Sequence, residues 1–204
     1  MKAISILLPL LALALLCGCA PKARPPAIST PGADAAAARK AEPPAPAITP
    51  ELFRKAGLQV PGNDVVSTDF ALDALDGRRV SLSSFRGKVV LLSFWATWCA
   101  PCQIEMPAMQ ALYEKMKPKG FEVVAVDIQE DRATVAAFLK KRGYTFPVLL
   151  DTTGDIAASY GVNAIPTNFV IDRAGRILAK AVGIDGPEWS SDARAGMVEK
   201  LLSM

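Results

Sequence analysis

The stretch WATWCAPCQIEMP, Trp95 to Pro107, sets two cysteines, Cys99 and Cys102, three residues apart. The 204-residue chain contains no histidine, so no imidazole can activate these thiols or share a metal with them. A structural zinc site needs four ligands, and two cysteines without histidine leave that set unfilled; no metal site is read here. A purely structural disulfide over so short a span closes a tiny loop, for which the entropic gain is small. A haem-attachment reading fails because Gln103, not histidine, follows Cys102. Redox chemistry remains.

The flanking pattern supplies the physical reason. KVVLLSFWA, residues 88–96, is a continuous apolar run, as a strand covered on both faces should be. A helix is expected over 100–116. Cys99 then sits where a buried strand hands over to a helix, whose first N–H groups are unpaired and carry about half a positive charge. Backbone dipoles thus replace imidazole as the activator. In C-x-x-C sites the attacking thiol ionises at roughly 3.5 to 7.5 instead of about 8.5. Cys99 is expected to be exposed and to attack first. Cys102, a turn further in, is expected to be more buried and to break the mixed disulfide. Glu105 follows Cys102 by three residues on the same helical face. Spacing alone leaves it either a solvated helix residue or a partly buried carboxyl that exchanges protons with thiols. Trp95 reads as core, Trp98 as part of a docking surface, and Pro107 as a kink within the helix.

Strand-like and helix-like runs alternate outward from this point. DFALDALDGRRVSL reads as a hairpin turning at Asp76-Gly77, ahead of the first core strand. FEVVAVDI (121–128) is a second buried strand, DRATVAAFLKKRG a helix starting near Asp131, FPVLL a short strand and GDIAASYG a short helix. TNFVID and RILAKAVG form a hairpin around Arg173-Ala174-Gly175, and a last helix is expected from Pro187 to Leu202. The order indicates an α/β sandwich with a mixed sheet.

The N-terminus, MKAISILLPLLALALLCGCA, has one lysine and then a short apolar run, which fits a secretory signal better than a membrane-spanning helix. Leu16-Cys17-Gly18-Cys19 resembles a bacterial lipoprotein signal, with Gly18 before the cut and Cys19 as the acylated residue. Residues 1–18 are therefore read as signal peptide and 19–62 as a Pro/Ala-rich tether with one short helix capped by Thr49. The globular domain is placed at 63–204. The tether's composition cannot offset its ordering entropy by burial. A formal net charge of +3 with no basic-aromatic cluster excludes nucleic acid as a partner.

Taken together, FWATWCAPCQIEMP and YGVNAIPTNFVIDRAGRI resemble the thioredoxin superfamily, and within it the TlpA/ResA-type extracytoplasmic thiol-disulfide oxidoreductases. The resemblance covers most of residues 68–183. It implies a thioredoxin-like three-layer sandwich, a central mixed β-sheet flanked by helices with an N-terminal β-hairpin. It implies catalysis by Cys99 and Cys102 with Glu105 handling protons, and no cofactor beyond the disulfide. Trp98, Pro101, Ile165 and Pro166 would bind substrate, Pro166 through a cis bond beside the thiols. The implied activity is reduction of disulfides in exported proteins, apocytochrome c among them, fed by a membrane thiol donor. The alternatives are a thiol oxidase or isomerase and a peroxiredoxin-like peroxidase. The expected setting is extracytoplasmic, lipid-anchored to a bacterial membrane, on the periplasmic side in a Gram-negative host. The expected state is monomeric.

Overall fold

Strand β4 (Val89–Trp95) is buried along its whole length and organises the sheet. The computed structural model describes residues 48–184 and 188–204. Strand β5 (Phe121–Ile128) lies parallel to β4, in register from Val89 opposite Phe121 to Trp95 opposite Asp127. Strand β6 (Val148–Asp151) extends the parallel block. The links between these strands are helices α2 (Ala100–Met116) and α3 (Arg132–Lys140), as parallel neighbours require. On the other side of β4, β7 (Thr167–Ile171) and β8 (Arg176–Val182) form an antiparallel hairpin, with the short β1 (Val65–Val66) on its outer edge. The N-terminal hairpin, β2 (Ala71–Ala74) and β3 (Arg79–Ser81), adds to β6. The eight strands run β1-β8-β7-β4-β5-β6-β2-β3, a mixed sheet.

Alternation along the central strands separates two apolar layers. Val89, Leu91 and Trp95 face one layer with Phe121, Val123 and Ala125. That layer is closed by helix α1 (Pro50–Lys55), by α2 and α3, and by helix α5 (Asp192–Leu202). Val90, Leu92 and Phe94 face the other, with Val124, Val126, Phe169 and Ala157 of helix α4 (Asp155–Ser159). Helices on both faces of a mixed sheet make the thioredoxin-like sandwich.

Local chemistry accounts for the boundaries. Asp131 caps α3 by accepting from the N–H of Thr134 at 2.7 Å. The β7–β8 turn needs Gly175, whose φ is +87° and whose missing side chain leaves room for the Arg86 guanidinium. Two boundaries differ from the sequence expectation. The last helix starts at Asp192 rather than Pro187, because Ser191 serves as its cap. Packed structure also begins before residue 63: Phe53, Ala56 and Leu58 are buried in the same layer as the cysteines. Phe53 of α1, Ala56 and Leu58 just past it, and the partly buried Ile48, Leu52 and Val60 dock this segment, although the composition before them is that of a tether. Cys19 and the signal segment lie outside the described residues.

Candidate functional site

Cys99 is the cap residue of α2, in extended conformation, and Pro101 lies within the first helical turn, where its missing N–H costs nothing. The backbone N–H of Cys102 donates to Cys99 Sγ at 3.2 Å. The two sulfurs are joined as a disulfide, with 2.05 Å between sulfurs and 5.3 Å between Cα atoms. Cys99 is 4% exposed and Cys102 1%. The expectation of an exposed Cys99 is therefore corrected for this oxidised form: its side chain packs within the buried apolar layer that α2 closes.

Glu105, one turn beyond Cys102, is buried, so the solvated-helix reading fails. Its Oε1 accepts from Asn168 Nδ2 at 2.7 Å and from the indole N–H of Trp189. Its Oε2 is buried and has no partner among the described residues. Burial pushes its pKa from 4.5 up to about 7, against the opposing pull of the Trp189 and Asn168 donors and the Arg194 charge. A carboxyl poised near neutrality is one that can both accept and return a proton.

The loop entering the cysteines is clamped from β5. Glu130 accepts from the backbone N–H of Thr97 at 2.5 Å and from its hydroxyl at 2.6 Å. Gln103 donates to the Thr97 carbonyl at 2.7 Å and is held in turn by Arg142 at 2.8 Å. The turn that brings Glu130 back carries Gln129 at φ +60°, a left-handed conformation uncommon outside glycine. Asp127, in register beside Trp95, is completely buried, and neither of its oxygens has a partner among the described residues. Burial first, and Glu130 beside it, push its pKa from 3.8 up to about 9.

The opposite lip of the site is made by the residues before β7. Thr167 pairs with Phe94, which places Pro166 at the end of β4 where the cysteine loop begins. The Ile165–Pro166 bond is cis, Pro166 is buried, and Ile165 is half-buried against the layer that holds both cysteines. The Pro166 carbonyl accepts from Gly183 N–H at 2.8 Å, bringing the end of β8 alongside. Trp98 is 67% exposed and Ile104 65%. Val182, at the end of β8, and Ile184 just past it are exposed apolar residues as well.

Structure thus gathers Cys99, Cys102, Glu105, Trp98, Pro101, Ile165 and Pro166 at one end of the sheet. Sequence reasoning missed Asn168, Trp189, Arg194, Asp127 and Glu130. Asn168 sits two residues after Pro166, a spacing that puts both in one loop-strand unit. Trp189 gave one signal, an aromatic in a polar stretch ahead of a helix, but nothing local ties it to Glu105.

Residues 64–180 match the AhpC/TSA family. The chain is 43% identical over 115 residues to the thiol-disulfide oxidoreductase ResA of Bacillus thuringiensis subsp. konkukian, covering 56% of this chain and 66% of that one, just under two thirds of its length. A second ResA, from another Bacillus thuringiensis strain, is 38% identical over 133 residues, covering 65% of this chain and 75% of that one. Among solved structures, a Chlorobium tepidum protein assigned as thiol:disulfide interchange protein DsbE is 37% identical. It superposes with a TM-score of 0.63, covering 68% of this chain and 96% of that one.

Proposed function

The chain belongs to the AhpC/TSA family, its thioredoxin-like domain being a thiol-disulfide oxidoreductase domain of the ResA/DsbE type, and from that premise we propose that it is a tethered reductase of disulfides in exported proteins. The observation that carries this reading is a disulfide at the N-terminus of α2, with a buried carboxyl one turn further along the same helix.

In the forward direction the reduced protein starts the cycle. The Cys99 thiolate attacks one sulfur of the substrate disulfide, forming a mixed disulfide and expelling one substrate thiolate. Cys102 gives its proton to the Glu105 carboxylate. The Cys102 thiolate then attacks Cys99 Sγ, closing the Cys99–Cys102 bond and releasing the second substrate thiolate. The two released thiolates take up two protons, one of them returned by way of Glu105 and the other drawn from solvent. Two electrons have passed to the substrate, and a donor dithiol restores the enzyme. No other cofactor is needed for this exchange. Trp98, Pro101, Ile165 and Pro166 receive the substrate, with the backbone at Ile165, unpaired among the described residues, suited to an extended segment. Acylation of Cys19 anchors the domain on the extracytoplasmic face of a bacterial membrane. On the family resemblance the substrates include apocytochrome c.

The test has two parts. Equilibration with glutathione should give a reduction potential well below about −200 mV; a more oxidising value would make the protein an oxidase or isomerase instead. Cys102→Ser should hold exported proteins on Cys99 as mixed disulfides that reducing agent releases.

A further inference from the structure

Glu105 is held from outside the segment that matches the family. That segment ends at residue 180, whereas Trp189 and Arg194 lie beyond it. Trp189 is wholly buried and spends its one N–H on Glu105 Oε1. The Arg194 guanidinium stands 4.3 Å from the centre of the Trp189 ring. Arg194 is itself 4% exposed and donates from Nε to the carbonyl of Ala56 at 3.1 Å, just past α1. Ser191, capping α5, accepts from the Arg194 N–H and fixes the turn that carries it. A continuous chain of contacts runs from α1 through Arg194 and Trp189 to the carboxyl beside Cys102.

Such an arrangement is costly as mere packing. A buried guanidinium needs a compensating negative charge, and an apolar side chain would fill the space at less desolvation cost. The anion that answers it is Glu105, whose ionised form the Arg194 charge favours. The groups facing Glu105 are Asn168 from β7 and Trp189 and Arg194 from the α5 side, with Cys102 one turn away on its own helix. With burial acting alone the carboxyl would stay protonated and could take no proton from a thiol. The indole N–H and the guanidinium act against burial.

We propose that Trp189 and Arg194 are positioning residues for thiol exchange, holding Glu105 by one oxygen so that the other is free to take the Cys102 proton. This rests on the reading of Glu105 as the proton acceptor. The segments flanking the family core complete its proton-handling site.

The test follows the Glu105 carboxyl directly, by carbon NMR of the full chain labelled at glutamate carboxyls, the resonance being identified by its loss in Glu105→Gln. In Trp189→Phe and in Arg194→Met the titration midpoint should rise by about one pH unit, a tenfold gain in proton affinity. Arg194→Lys should restore most of it. The pH at which the resolving step accelerates should move by the same amount. In the Glu105→Gln background, Trp189→Phe should add no further movement. An unmoved midpoint in natively folded variants overturns the proposal, and Arg194→Met decides the matter if Trp189→Phe does not fold. That outcome leaves the oxidoreductase reading standing, because the separate trapping of substrates on Cys99 does not depend on it.

Discussion

The backbone N–H of Cys102 points at the Sγ of Cys99 across 3.2 Å. In the reduced protein the same donor, at the positive end of α2, is aimed at a sulfur able to become an anion. Cys99 is therefore expected to ionise below the ordinary cysteine value of about 8.5. Iodoacetamide alkylation of Cys102→Ser against pH checks this. A midpoint at or above the free-cysteine value would remove the basis of the mechanism.

Trp98 follows a different logic, because its ring is 67% exposed and belongs to neither buried layer. Trp98→Ala should leave thermal stability within about 0.5 kcal/mol, as for surface changes generally. Reduction of a small aromatic disulfide should continue at the wild-type rate, while reduction of an unfolded protein disulfide should slow several-fold. Equal losses on both substrates would place Trp98 in the chemistry rather than in docking.

The parts of this design that are local in sequence were legible there. β4 reads as a covered strand because both its faces meet apolar layers, and α2 reads as a helix capped at Cys99. What escaped depends on pairing across the fold. Trp189 reaches Glu105 over 84 positions, and Asp127 becomes Trp95's neighbour only through the register of β4 on β5. Helix α1 itself was legible from Thr49 and Pro50; its docking into the domain core was not, because Phe53 and Leu58 are few and the Pro/Ala-rich stretch before them dominates the composition.

Glu105 links function to stability with a definite sign. Its folded pKa of about 7 lies above the ordinary 4.5, so the folded state holds a proton that the unfolded state gives up. Stability is then undiminished below about pH 4.5 and falls as pH rises through the window to 7. Glu105→Gln keeps an acceptor for Trp189 and Asn168 but carries no charge. It should match wild type near pH 4.5 and exceed it at pH 8, by at most about 3 kcal/mol. The resolving step should slow about a hundredfold. Urea unfolding across pH checks the first expectation and stopped-flow exchange the second; a Gln variant less stable at pH 8 contradicts the sign.

Asp127 and Glu130 stand three residues apart, yet their substitutions should act in opposite directions. Asp127 is fully buried without a hydrogen-bond partner among the described residues, and its pKa is pushed up to about 9, so it is a neutral acid at pH 7. Ionising it costs the folded state, and the cost grows as pH rises from 3.8 towards 9. Asp127→Asn, similar in shape and without that cost, should raise stability by a few kcal/mol at pH 8 and by little at pH 4. Glu130 is the reverse case, since both of its oxygens are engaged by Thr97. Glu130→Gln puts an amide where the backbone N–H or the hydroxyl needs an acceptor, and should cost about 1–3 kcal/mol. It should also speed hydrogen exchange at Thr97, Trp98 and Cys99, because that clamp holds the loop entering the disulfide. Denaturant titrations at pH 4 and pH 8, with amide exchange at pH 7, separate the two roles. If both variants destabilise equally at both pH values, the two carboxyls act as one coupled pair and the division of labour drawn here is wrong.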